Sequence, residues 1–154
     1  MSPLPQISVS VKAAVVRGED VLLLSYNDEG GFHYNLPGGK ARKGESLREA
    51  VSRKVRQETG LQVTAGRLMF VVEYVPHIWC GEFGEVHKVQ FNFMAAMLDP
   101  TQEARMPDVP DPIQVGFEWF PLTKLPEAPL LPRVTQQLIS AINQPITDPF
   151  VGRW

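Results

Sequence analysis

Residues 38–61, GGKARKGESLREAVSRKVRQETGL, decide how this chain is read. Pro37 and the glycine pair Gly38–Gly39 permit a tight turn in which backbone can approach a ligand closely. Lys40, Arg42 and Lys43 follow at once and place positive charge beside that turn. From Glu45 to Glu58 the pattern becomes helical, with Leu47, Val51 and Val55 spaced four apart on one face. Gly60, just past the last periodic residue, is the expected stop. A helix starting near Ser46 points its first amides back toward the glycine turn, a favourable place for an anion. A plain strand-to-helix turn with a solvated basic loop fits these features equally well.

Outward from this segment the pattern is mostly β. ISVSVKAAVVRGEDVLLLSY (7–26) reads as two strands joined at Gly18–Asp20, and NDEGGFH (27–33) as a polar loop. RLMFVVEYVP (67–76) and VHKVQFNFMAAML (86–98) are long β-type runs joined by the glycine-bearing HIWCGEFGE (77–85). Residues 100–114, rich in Pro and Asp, read as a loop, and VGFEWFPL (115–122) as a final short strand. PRVTQQLISAIN (132–143) predicts a second helix, with Pro132 at its start and Val134, Leu138 and Ile142 on one stripe. The tail, residues 144–154, is expected to pack on the body or on a second chain. One helix set between strands argues for an α/β or α+β layered arrangement in a single domain spanning 1–154.

Composition narrows the function classes. A chain of 154 residues, 44% hydrophobic and 21% charged, is sized to bury one core. A formal net charge of -2 gives no basic footprint for a nucleic-acid polymer, although a free nucleotide needs only a local donor cluster. Cys80 stands alone, which excludes an intrachain disulfide and suits a reducing, cytoplasmic setting. The start MSPLPQISVS lacks a charged n-region, so no secretory signal is expected. No run reaches the roughly 18–20 apolar residues of a membrane helix.

The spacing Gly39, five residues, Glu45, seven residues, Arg53, then Val55, Glu58, Gly60 and Leu61 resembles the Nudix box, G-x5-E-x7-R-E-U-x-E-E-x-G-U with U aliphatic. YNLPGG (34–39) and EWFPLTKLP (118–126) also resemble segments of that family. The resemblance implies an α/β/α sandwich around a mixed sheet. It also implies hydrolysis of a nucleoside diphosphate linked to another moiety, by metal-assisted attack of water on phosphorus. Carried onto this chain, it makes Glu58 a metal ligand together with the Gly38 carbonyl and Gln57. Arg53 would orient Glu58, Lys40 would approach phosphate, and Tyr34 would contact the substrate. The cofactor would be Mg2+ or Mn2+, and the partner a small nucleotide rather than a polymer or a membrane. Homodimers are frequent among such proteins, and the resemblance allows one here.

The departures matter as much as the matches. Three box glutamates stand here as Lys54, Gln57 and Glu58, so formal charge on that arc goes from minus three to zero. Positions 54, 57 and 58 share one side of a helix, so the spacing survives while the chemistry changes. Mg2+ wants oxygen ligands, usually with carboxylates among them. An ammonium about 4 Å away opposes each unit of positive charge by roughly 4 kcal/mol at an effective dielectric of ~20. Metal binding is therefore expected to be weak.

Other carboxylates could compensate. Glu49 is expected on the opposite side of the helix, paired with Arg53 four residues on. Glu45 suits either the helix dipole or a metal. Glu82, Glu85, Asp108, Asp111 and Glu118 lie in later loops or strands and are open as extra ligands or as solvated charges. Lys54 could instead bind phosphate directly. His33, His77 and His87 lack metal-ligand spacing, and Trp79, Phe83 and Tyr34 could stack a nucleobase. Pro76, fifteen residues after Leu61, stands where ADP-ribose-acting relatives tend to have proline. Three readings follow: a hydrolase with a weakened metal site, a nucleotide-binding protein without turnover, or an interaction module built on the tail and the proline-rich loop.

Overall fold

Strand β1 (Ser8–Arg17) carries the run Val11–Val15 in full burial, as a strand covered on both faces must. Val11, Ala13 and Val15 face one apolar cluster, and Ala14 faces the other. The period of two thus splits one strand between two layers. The computed structural model, which describes residues 6–153, builds its sheet around this strand.

After β1 come β2 (Asp20–Asp28), β3 (Gly31–Asn35), β4 (Gly38–Lys40), α1 (Leu47–Thr59), β5 (Val63–Tyr74), β6 (Lys88–Met97), β7 (Gln114–Pro121), α2 (Thr135–Asn143) and β8 (Phe150–Val151). The sheet runs β3-β2-β1-β6-β5-β8, with β4 also on β1 and β7 on β2. It is mixed: β1 is parallel to β6 from Ser8↔Lys88 to Val15↔Ala95, whereas β5 and β6 are antiparallel. Helix α1 covers one face through Ala50, Val51 and Val55, and α2 covers the other through Leu138 and Ala141. This is the expected α/β/α sandwich. No helix among the described residues is long and apolar enough to cross a membrane.

The sheet opens along one side of β1. Strands β1 and β2 pair only at Val16↔Val21 and Arg17↔Asp20. Further back, β1 takes β4 as its neighbour at Ser10, Val11 and Lys12. The chain therefore diverges at the point where Lys12 and Gly38 sit opposite each other.

Several boundaries differ from the sequence reading. Residues 27–33, expected as a loop, are mostly strand: Asn27 and Asp28 end β2, Gly31 to His33 begin β3, and only Glu29 and Gly30 turn between them, the pairing running from Leu24↔Asn35 to Asp28↔Gly31. The Asp28 carboxylate accepts the Gly30 N–H at 2.8 Å, which closes that turn locally. Helix α2 starts at Thr135 rather than Pro132, with Val134 as its N-cap. The tail packs on the body: β8 adds to β5 in parallel at Val71 and Val72, and Val151 is buried.

The loop before β7 docks on the C-terminal end of α1. The Arg105 N–H donates to the Thr59 carbonyl at 2.8 Å, and the Gln102 side chain donates to the Gly60 carbonyl at 2.9 Å. These bonds satisfy carbonyls that the helix end leaves free.

Candidate active site

The glycine turn is tighter than a turn alone would require. Gly38 has φ +153, and a Cβ there would lie 2.0 Å from the Val11 carbonyl oxygen and 2.8 Å from Lys12 Cα. Only glycine allows β4 to lie so close to β1. A Cβ on Gly39 would lie 2.4 Å from Lys54 Cε and 3.0 Å from its Nζ, so the lysine side chain rests across that residue.

Helix α1 is anchored to this turn through its first half. Ser46 caps it, and the Ser46 and Glu49 side chains close a reciprocal capping box. Arg53 then reaches back. Its Nε donates to Glu45 Oε2 at 2.6 Å, and its Nη2 donates to Glu45 Oε1 and to the Lys40 carbonyl, both at 3.0 Å. Its Nη1 donates to Gln57 Oε1 at 3.3 Å. This bidentate pair pulls the Glu45 carboxyl down to about 2.

Two expectations are corrected here. Arg53 pairs with Glu45 and not with Glu49, whose oxygen is taken by the capping box. Arg53 forms no bond to Glu58; the Gly38 N–H holds Glu58 Oε1, at 2.7 Å. Lys40 keeps its side chain exposed, and only its carbonyl is engaged by Arg53.

Glu58 lies between charges of both signs. Burial raises its pKa, and Lys12, the Gly38 N–H and Lys54 oppose that rise, while Asp111 adds to it. Lys12 is buried at 9% exposure and donates from Nζ to the Leu36 carbonyl at 3.2 Å. Its pKa is lowered by burial, with Glu58 opposing and Lys54 reinforcing the shift. Tyr26 is raised by burial and by the Glu58 and Asp111 charges, and its ring stacks on His33 at 5.5 Å. Glu58 thus shares one electrostatic neighbourhood with Lys12, Lys54, Tyr26 and Asp111.

The remaining candidates scatter. Tyr34 donates its hydroxyl to Glu118 at 2.6 Å, which raises the phenol to about 12, and its ring meets Phe32 and Phe120 edge-on. Glu82 pairs with Arg133, and His87 with Glu73 at 3.0 Å. Asp108 lines a groove of about 490 Å³ with Arg53, Arg56, Gln57 and Arg105. Glu85, His77 and Cys80 are exposed.

A second cavity, about 270 Å³, lies on the α2 side of the sheet and is lined by His33, Asn35, Tyr74, Phe83, Lys88 and Gln90 among others. Its wall is braced: the Tyr74 hydroxyl donates to the Gly84 carbonyl at 2.7 Å and accepts the Phe83 N–H at 3.0 Å. Phe83 was anticipated as a stacking residue, whereas Tyr34 is absent from this lining. Lys12, Tyr26 and Asn35 were not singled out from sequence. A lysine inside the apolar run SVSVKAAVV was the available signal.

Nudix proteins generally use divalent metals such as Mg2+, and the residues present fit that ion poorly. Among the described residues, no three His, Cys, Asp or Glu side chains are grouped so as to share a metal. Gln57 Oε1 already accepts from Arg53, and Glu58 Oε1 from Gly38. Burial pushes Glu58 toward its neutral form, and Lys12 and Lys54 bring positive charge near it, neither of which favours a dication.

A family model for the NUDIX domain matches residues 7–140. The NAD-capped RNA hydrolase NudC of Pectobacterium atrosepticum is 36% identical over 59 residues, which cover 38% of this chain and only 23% of that protein. The MutT NUDIX hydrolase of Burkholderia pseudomallei superposes with TM-score 0.67 at 27% identity, covering 89% of this chain and 98% of that one. An ADP-ribose pyrophosphatase from Streptococcus suis gives TM-score 0.65 at 19% identity over 95% and 98% of the two chains, a likeness of fold. With the box spacing, the sandwich and a match that spans most of its length, the chain belongs to the Nudix hydrolase family.

Proposed function

We propose that this chain holds a nucleoside diphosphate linked to a second moiety, an ADP-ribose-like ligand, and that it hydrolyses the ligand only at a residual rate. The carrying observation is Glu58 set among Lys12, Lys54 and Asp111, where a metal-binding site would need several carboxylates. The base belongs in the cavity beside Tyr74 and Phe83, whose aromatic faces offer stacking without strict base selection. The diphosphate belongs at the Gly38–Gly39 turn. The names of two relatives, an ADP-ribose pyrophosphatase and an NAD-capped RNA hydrolase, both specify ligands with a nucleoside diphosphate joined to another group. With a net charge of -2, this chain is assigned the diphosphate unit and not a polymer. Pro76, at the head of a 3-10 turn (Pro76–Trp79), agrees with an ADP-ribose-like ligand.

The test is product release from ADP-ribose, NAD and nucleoside triphosphates with Mg2+ and Mn2+, run beside a Lys54→Glu, Gln57→Glu double variant. Wild type is expected to turn over slowly, and the double variant to gain both metal affinity and rate. Fast wild-type turnover that survives Glu58→Ala would refute the assignment.

A further inference from the structure

Lys12 and Lys54 come from different elements, yet both converge on one dipeptide. Lys12 is the β1 partner of Gly38, and Lys54 on α1 lies across Gly39. Glu58 accepts the Gly38 N–H between them. The two lysines sense each other and Glu58 electrostatically, although no ion pair within 4.0 Å joins them to it.

Their hydrogen bonding is incomplete. An ammonium carries three donors. Lys12, at 9% exposure, uses one on the Leu36 carbonyl, and no second partner exists among the described residues. The Lys54 ammonium donates to no described residue. Lys54 is half-buried, whereas Lys12 is buried, and unmet charged donors on a buried group are costly, so Lys12 marks a place where a ligand would complete the bonding. Two cations beside one glycine turn call for an acceptor with several negatively charged oxygens.

We infer that Lys12 and Lys54 form a metal-independent seat for the diphosphate at the Gly38–Gly39 turn. This inference rests on the proposal that the ligand carries a diphosphate. Lys12 supplies a buried charge, held by its bond to the Leu36 carbonyl. Lys54 supplies a longer-reaching charge above Gly39. Neither can lower the pKa of a bound water as a metal does, so the seat binds without activating a nucleophile.

Inorganic pyrophosphate in EDTA is the direct probe, titrated calorimetrically against the whole chain, with ADP-ribose titrated alongside. Wild type is expected to bind pyrophosphate without metal, and more weakly as salt rises. Lys54→Met should lose at least about tenfold in affinity and Lys54→Arg should retain most of it, as expected for charge-assisted bonds. Lys12→Met should lose at least as much. If that buried variant does not fold, the Lys54 pair of variants decides the matter. Pyrophosphate binding that requires Mg2+, or that Lys54→Met leaves unchanged, overturns the inference. Lysine-dependent pyrophosphate binding with ADP-ribose no tighter than pyrophosphate retains the seat and removes the nucleotide proposal. ADP-ribose binding only in Mg2+ does the reverse.

Discussion

The two halves of helix α1 have been treated differently. In the first half and the loop before it, every charged group that fixes the shape has its partner: Ser46 with Glu49, and Arg53 with Glu45 and the Lys40 carbonyl. In the second half, Lys54 and Gln57 replace acidic groups, and Glu58 faces lysines. Arg53 stands at the border between the two halves, bonded to Glu45 on one side and to Gln57 on the other. The glycine turn is held from both halves: Arg53 donates to the Lys40 carbonyl, and Glu58 accepts the Gly38 N–H.

This contrast can be broken in a graded series of unfolding experiments. Gly38→Ala should be the most damaging, because its methyl group would overlap the Val11 carbonyl; a loss of about 4 kcal/mol or outright failure to fold is expected by urea denaturation. A loss under about 1 kcal/mol would mean that β4 is not seated so closely on β1. Arg53→Ala comes next, since it frees Glu45, the Lys40 carbonyl and Gln57 together. It should lower the thermal midpoint more than any single change in the second half.

The same variant has a pH signature. Glu45 is depressed from 4.5 to about 2, so its contribution is complete above the ordinary carboxylate value and is lost as pH falls toward 2. Arg53→Ala should flatten that part of the stability profile between pH 4.5 and 2. An unchanged acid limb would show that the pair does not hold in solution.

Ser46→Ala, which removes one side of the capping box, should cost about 1 kcal/mol. Smallest in stability is the Lys54→Glu, Gln57→Glu pair, expected within about 1 kcal/mol of wild type because both positions lie off the buried face. Its effect should appear instead as a gain of at least about tenfold in Mn2+ affinity, read by calorimetry. A large stability loss without that gain would tie shape and charge back together.

Much of this was legible from the chain alone, for reasons that differ by element. The helix of the box and its ends near Ser46 and Gly60 are local patterns that formed where expected, as did the second long β run, whereas β5 begins at Val63, four residues before the run read from sequence. The β2–β3 hairpin was hidden because its turn residues are polar and its strand pairing is set by partners distant in sequence. Arg53 illustrates a limit of helical spacing. Glu49 lies one turn away and was the obvious partner, but the N-cap had a prior claim on its carboxylate. Lys12 was harder still. Strand alternation places it on the α2 side, and its place beside Gly38 depends on β4, not β2, pairing with β1 at that point.

Phe150 and Val151 lie against Val71 and Val72 at the outer margin of the sheet. Their backbone pairing occupies amides and carbonyls that would otherwise recruit a strand from a neighbouring molecule. A strand from another molecule could pair with Val71 and Val72 only after Phe150 and Val151 had peeled away from them.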